Sequence, residues 1–253
     1  MVKSVKKIVI IGIGNIGFSI LKQLNNLNND LEIIAIARRF PTYLKDYSSQ
    51  INDKIKLTFI EGDATDESKF QEIINDENLN GINVLISTVG FFSQLSDFDE
   101  YQKDFKGNFY GNVIPIKSLV NKIPIHSSSR VIIISSTSGN KALKSLDSYA
   151  PSKFALETFS SALQQELKID GIFVDIIRPT NIINEFSDVF KTDNGVRANV
   201  VATRILNMIQ LSLTDSQVSG KKIFVPSYFF GLRILERVFS VHIKLPLWFK
   251  FLA

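Results

Sequence analysis

A doubly wound α/β fold, with about seven parallel strands and helices on both faces, is what this sequence predicts. Three observations carry that expectation. Short apolar runs rich in β-branched residues recur along 253 residues. The segments between them are long enough for crossover helices, as parallel strands demand. The first run also breaks into a glycine-rich turn that opens an apolar-periodic helix.

In order, the strand runs are Lys7 to Ile11, Leu31 to Ala37, Ile55 to Ile60, Val84 to Thr88, Arg130 to Ser135, Phe173 to Arg178 and Lys222 to Val225. Each is nearly continuous in apolar residues, the pattern of strands covered on both faces. After the first run, Phe18, Leu21 and Leu24 keep helical spacing. No long Gly/Ser/Pro linker and no internal repeat interrupts the series. One domain over residues 1–226 is therefore expected, followed by a distinct C-terminal tail over 227–253.

Composition narrows the chemistry. Apolar residues make up 45% of the chain, enough for a large core, and twenty Phe against two Met and one Trp predict that much of it is aromatic. There is no cysteine, which excludes disulfides, thiolate catalysis and Cys-ligated metals. With only His126 and His242, a His-built metal site is not expected either. The net charge of +4 is spread among interleaved acids and bases, so nothing points to nucleic acid. Lys3, Lys6 and Lys7 ahead of an apolar run imitate a secretory signal, but the run is short and ends in glycines with no cleavage site. A cytoplasmic protein is the expectation.

The turn after the first strand reads Gly12-Ile13-Gly14-Asn15-Ile16-Gly17. Glycines there permit a tight turn and let backbone N–H groups approach a pyrophosphate, which the helix N-terminus stabilises. Strand, glycines and helix in that order predict a Rossmann-type dinucleotide site. Sites for NAD usually carry an Asp or Glu about twenty residues further on, bonded to the ribose 2′-OH. This chain has Ala37, Arg38 and Arg39. With no carboxylate to repel a 2′-phosphate and two guanidiniums to bind one, NADP(H) is favoured. Ordinary solvated arginines are the competing reading.

After the third strand, Asp63 and Ala64 stand at a carboxyl end, where ligands bind in open α/β sheets. Asp63 suits an adenine amino group and Asp66 a helix cap. After the fourth strand, Ser87, Thr88, Val89 and Gly90 form a small-residue turn for the cofactor to pass, with Phe91 and Phe92 beyond it.

The chemistry-bearing pair is Tyr149 and Lys153, in Tyr-Ala-Pro-Ser-Lys, thirteen residues after Ser136. Residues four apart share a helix face, so phenol and ammonium can sit side by side over a ligand. A phenol titrates near pH 10, and a neighbouring cation favours its ionised form. Lys153 is thus expected to turn Tyr149 into a usable general acid or base.

These motifs resemble the short-chain dehydrogenase/reductase family in its single-domain form. The resemblance rests on the glycine turn, Asp63-Ala64, Ser87 to Gly90, Asn108-Phe-Tyr-Gly111, Ser135-Ser136, Tyr149 with Lys153, and Arg178-Pro179 after the sixth strand. It implies that Tyr149 gives a proton to a substrate carbonyl as hydride arrives from the nicotinamide. It also implies that Lys153 binds the nicotinamide ribose, that Ser136 bonds the substrate oxygen and that Asn108 holds a relay water. Two positions depart from the pattern. The family's GxxxGxG is met here by Ile16 and Phe18, with an extra Gly14, and the Pro-Gly after the sixth strand is Pro179-Thr180.

The segment from Thr180 to Arg197, with Asn181, Ile182, Ile183, Phe186, Val189 and Phe190, is expected to form a substrate lid. With Phe91, Phe92 and Leu143 or Leu146 it would enclose an apolar pocket. The tail is aromatic and basic, but Arg233, Glu236, Arg237 and Lys244 interrupt it, so no stretch can span a bilayer. Three placements remain open for it: a cover over the pocket, a subunit interface, or a segment lying in a membrane surface with Trp248 inserted. The reading reached is an NADP(H)-dependent oxidoreductase for a hydrophobic or acyl-type carbonyl or alcohol, as a dimer or tetramer by resemblance. An NADP(H)-sensing protein and a non-redox isomerase or lyase are the alternatives.

Overall fold

The computed structural model describes residues 5–40, 42–92, 98–125, 128–140, 148–183, 195–214 and 222–225. Strands β1 (Lys6–Ile11), β2 (Leu31–Ala37) and β3 (Ile55–Glu61) alternate with helices α1 (Asn15–Asn25), α2 (Thr42–Ser48) and α3 (Glu67–Ile74). Then follow β4 (Val84–Ser87), α4 (Phe98–Phe105), α5 (Gly111–Leu119), β5 (Arg130–Ile134), α6 (Tyr149–Leu167) and β6 (Phe173–Pro179). The two short strands β7 (Ile182–Ile183) and β8 (Val196–Arg197), helix α7 (Ala198–Leu213) and strand β9 (Lys222–Val225) complete the series.

All seven expected strands exist and form one sheet, ordered β3-β2-β1-β4-β5-β6-β9 with every pairing parallel. Strand order reverses between β1 and β4, and such a switch point leaves a crevice at the carboxyl ends of the strands. Strands β4 and β5 each stop one residue short of the expected bound. Thr88 and Ser135 lie just past β4 and β5, although their N–H groups still donate to Ile11 and Ile177.

The side-chain period of two splits each strand between the sheet's faces. Ile8 and Ile10 join Leu21, Leu24, Ile205 and Ile209 on the face of α1 and α7. Val9 and Ile11 join Phe70, Ile116, Leu119, Leu156 and Leu163 on the face of α3, α5 and α6. The core is aliphatic, which corrects the aromatic expectation: among the described residues only Phe18 and Phe70 are buried phenylalanines. Strands enclosed on two faces favour branched aliphatic side chains, which pack well on a pleated surface. Several Phe residues sit instead at the periphery, including the exposed Phe98 and Phe154.

The strand pair β7–β8 was not anticipated from sequence; it brings Ile182 opposite Val196. The central part of the expected lid (residues 184–194), Leu143, Leu146 and the tail fall outside the described residues. Among the described residues no helix is long and apolar enough to cross a membrane.

Candidate active site

The glycine turn has the form its sequence demands. Gly12 adopts φ +85°, and its N–H donates to the Ile36 carbonyl at 2.8 Å. A Cβ on Gly17 would stand 2.2 Å from the Gly12 carbonyl oxygen, so the first turn of α1 can approach the strand end only as glycine. Gly14, by contrast, has nothing within 4 Å of where a Cβ would be. It is the residue preceding α1 and makes no side-chain cap, and the amides of a helix's first turn have no helical carbonyl ahead of them. Open space before an uncapped N-terminus at Gly14, Asn15 and Ile16 fits a pyrophosphate. Thr88 is placed beneath this turn, its hydroxyl donating to the Gly12 carbonyl, so it braces the cradle.

Arg38 and Arg39 follow β2 directly and are exposed. After β3, Asp63 accepts at Oδ1 from the Thr65 N–H at 2.9 Å and from the Thr65 hydroxyl at 2.8 Å, closing a turn over the buried Ala64. Asp66 caps α3 by accepting from the Lys69 N–H at 3.2 Å. The cap assignment for Asp66 therefore holds.

The crevice between β4, β5 and β6 gathers the remaining residues. Gly90 stands where a Cβ would lie 3.6 Å from Lys153 Nζ and 3.8 Å from Asn108 Oδ1. Pro179 ends β6 and Thr180 follows it, with a buried Oγ1 that has no hydrogen-bond partner. A buried unsatisfied hydroxyl at this position fits a ligand group that would satisfy it.

Tyr149 is the first residue of α6, and its phenol hydrogen-bonds the Ser136 hydroxyl at the end of β5. Ser136 Oγ also accepts from the Ser138 N–H at 3.1 Å, which orients it. Lys153 is buried one turn along α6, with Nζ 3.5 Å from the Ile134 carbonyl oxygen and 5.8 Å from the centre of the Tyr149 ring. The Phe92 ring meets Tyr149 edge-on at 5.3 Å, placing an apolar wall on the expected side.

Asn108 lies in a five-residue π-helical segment, Lys106–Tyr110, between α4 and α5. Its Oδ1 accepts from the Phe91 N–H at 2.8 Å and its Nδ2 donates to Ser152 Oγ at 3.0 Å. Its carbonyl accepts from Asn112 Nδ2 at 2.8 Å. Asn108 thus ties the loop after β4 to α6, and one lone pair on Oδ1 and one N–H of Nδ2 are left for the expected water.

Burial sets the electrostatics. The Tyr149 phenol is pushed up to about 12, chiefly by desolvation and further by the Asp104 charge, while the Ser136 bond works the other way. The expectation that Lys153 makes this phenol more acidic therefore does not hold here: desolvation dominates, and the ammonium lies over the ring. Lys153 is itself pushed down to about 8 by burial, against the opposing pull of Glu157 and Asp104. Glu157 in turn binds Arg178, whose Nε donates to Oε1 at 2.8 Å and whose Nη2 donates to Oε2. That two-pronged bond holds the Arg178 guanidinium above its usual range.

Sequence reasoning missed Asp104, Ser148, Ser152 and Glu157, all buried around the pair. A signal was available: Asp104 and Asn108 are spaced by four, as are Ser148 and Ser152.

A parallel sheet with its switch point at a glycine cradle, and a Ser-Tyr-Lys cluster beside it, defines a dinucleotide-binding oxidoreductase scaffold. The family model for short chain dehydrogenase matches residues 6–194, and the chain belongs to that family. A 3-dehydrosphinganine reductase of Danio rerio is 30% identical over 137 residues, covering 51% of this chain and 41% of that protein. The uncharacterized oxidoreductase YbbO of Escherichia coli K12 is 34% identical over 102 residues, covering 39% of this chain and 38% of that protein. The chain thus matches about two-fifths of the length of each. The alcohol dehydrogenase of Thermococcus sibiricus, solved with 5-hydroxy-NADP, superposes with a TM-score of 0.77 over 89% of this chain and 98% of that one; at 16% identity this shows the fold.

Proposed function

We propose that the chain interconverts a carbonyl and an alcohol on a hydrophobic or acyl-type substrate, using NADP(H). The observation that carries this reading is the Ser136–Tyr149 hydrogen bond, set between buried Lys153 and the open position at Gly90. Gly12, Gly14, Asn15, Ile16 and Gly17 would hold the pyrophosphate, Arg38 and Arg39 the 2′-phosphate, and Asp63 with Ala64 the adenine. Thr88 and Gly90 would line the passage, and Lys153, Pro179 and Thr180 the nicotinamide end. When bound, the nicotinamide supplies or accepts the hydride.

The protein's own residues manage the proton. In the reductive direction the neutral phenol, the form that burial favours, is the proton donor to the carbonyl oxygen. As the carbonyl carbon becomes an alcohol carbon, its oxygen takes the Tyr149 proton, and the phenolate left behind is held by the Ser136 hydroxyl until solvent reprotonates it. Ser136 also reaches the substrate oxygen. Phe92 against Tyr149 keeps that side of the site apolar, in keeping with a hydrophobic substrate. The Danio rerio relative is named a reductase, which accords with this direction.

The test is a thermal-shift titration with NADPH and NADH, followed by NADPH oxidation against a panel of apolar ketones and aldehydes. Tyr149→Phe is expected to lower turnover by about 10²–10⁴-fold and to retain cofactor stabilisation. A variant as active as wild type would remove Tyr149 from the chemistry. Cofactor stabilisation without turnover on any carbonyl would favour the sensing alternative.

A further inference from the structure

Asp104 lies close enough to the crevice residues for its charge to act on Tyr149 and Lys153. This carboxylate has no exposed surface, it lies on α4, and it accepts a hydrogen bond from the Ser148 hydroxyl. A buried carboxylate is costly unless its charge is used or compensated. Ser148 immediately precedes α6, yet its side chain makes no cap bond to that helix. A serine at this position ordinarily accepts from an amide of the first turn. Here the hydroxyl is turned to Asp104 instead.

One helical turn along, the arrangement repeats. Asn108 Nδ2 donates to Ser152 Oγ at 3.0 Å, and Ser152 Oγ donates to the Tyr149 carbonyl at 2.7 Å. Asp104 and Asn108 on one side, and Ser148 and Ser152 on the other, form two rungs at matching four-residue spacing. Tyr149 and Lys153 each follow a rung residue directly in the chain.

We propose that Asp104 is a positioning residue: through Ser148 it anchors the start of α6, and so sets the placement of Tyr149 and Lys153 against Ser136. This rests on the redox reading of the same site. The carboxylate also acts at a distance, because its charge favours the protonated form of both Tyr149 and Lys153. Among the described residues, the other groups acting on the pair are Glu157 on α6, itself bound to Arg178 of β6, and the Ser136 hydroxyl. A negative charge here keeps the lysine cationic and the tyrosine neutral, the protonation states that proton donation to a carbonyl requires.

The experiment follows Lys153 by NMR in protein labelled with [ε-13C]lysine, its signal identified by its loss in Lys153→Arg. Wild type is expected to titrate at about 8. Asp104→Asn keeps an oxygen for Ser148 and removes the charge, so the midpoint should fall by about one pH unit. An unchanged midpoint in folded Asp104→Asn overturns the electrostatic part. Ser148→Ala, which cuts the tether and leaves the carboxylate, should quicken amide exchange in the first two turns of α6 by about fivefold. Wild-type exchange rates in that variant would show that Asp104 does not anchor the helix. Neither readout needs a substrate, so a failure of NADPH to stabilise wild type would count against the redox reading alone.

Discussion

Lys153 Nζ lies 5.8 Å from the centre of the Tyr149 ring and 3.5 Å from the Ile134 carbonyl oxygen. An ammonium so enclosed loses hydration that one backbone oxygen and the nearby carboxylates only partly replace, so its charged form is disfavoured in the native state. Its folded value of about 8 lies below the ordinary 10.5. Between those values the unfolded chain binds more protons than the native one, so this lysine makes stability rise with pH from about 8 to about 10.5, and contributes no slope below about 8. The full span is on the order of 3 kcal/mol. Tyr149, raised from 10.0 to about 12, acts in the opposite sense above pH 10. Urea unfolding of wild type between pH 7 and 10 should therefore show a rising limb that Lys153→Met abolishes. A limb that persists in the variant would assign it to another group.

The two glycines of the cradle should separate folding from binding. A Cβ at position 17 would meet backbone at 2.2 Å, which cannot give way as a flexible side chain would. Gly17→Ala should destabilise the protein by about 2 kcal/mol or more and abolish stabilisation by NADPH. Gly14 has an extended backbone, φ −83° and ψ −160°, and open space around it. Gly14→Ala should leave the melting temperature of the protein alone near that of wild type, because the added methyl meets no protein atom. It should nonetheless weaken NADPH about tenfold by crowding the phosphate position. Equal losses in both variants, read by thermal shift with and without NADPH, would contradict this division.

Local signals explain what could be read from the chain. The seven strands, the glycine turn, the Asp66 cap and the shared face of Tyr149 and Lys153 each depend on residues close in sequence, and each is found. Long-range partners are harder to read: four-residue spacing puts Asp104 with Asn108 and Ser148 with Ser152, but nothing local pairs the two sets, whose bonds each span 44 residues. The π-helical segment Lys106–Tyr110 covers only five residues, too short a stretch for a change from a period of 3.6 to be read from apolar spacing. The aromatic-core estimate failed because composition counts phenylalanines without locating them. The lowered acidity of Tyr149 was misjudged for a related reason: sequence spacing places a cation near a phenol but says nothing of the desolvation acting on both.

Cofactor preference rests on Arg38 and Arg39, exposed immediately after β2. Solvent screens each guanidinium, so the pair is expected to discriminate through bonds made only to a 2′-phosphate. Replacing both with Ala should weaken NADPH by about tenfold to a hundredfold, and NADH by less than about twofold. Isothermal titration with each cofactor decides this, and the NADPH difference should shrink as salt rises. Parallel weakening of both cofactors would remove the assignment.

Far from the crevice, Arg130 at the start of β5 and Asp175 in β6 form a fully buried ion pair, with Nη1 and Oδ2 2.8 Å apart and 1% and 0% of the side chains exposed. The guanidinium also stacks over the Phe173 ring, its carbon 4.8 Å from the ring centre. Removing one member leaves the other charged in a sheet interior, whereas removing both trades a desolvation penalty for apolar contact. Asp175→Asn should therefore destabilise by about 3–5 kcal/mol, while Arg130→Met with Asp175→Leu should lie much nearer wild type. Because Arg130 opens β5 and Asp175 lies in the first half of β6, away from the carboxyl ends that carry the glycine cradle, NADPH affinity per folded molecule should be unchanged in both variants. Denaturant unfolding beside cofactor titration checks the two halves separately: additive losses would show that the charges do not compensate each other, and weakened NADPH binding in folded protein would show that the sheet interior is coupled to the crevice.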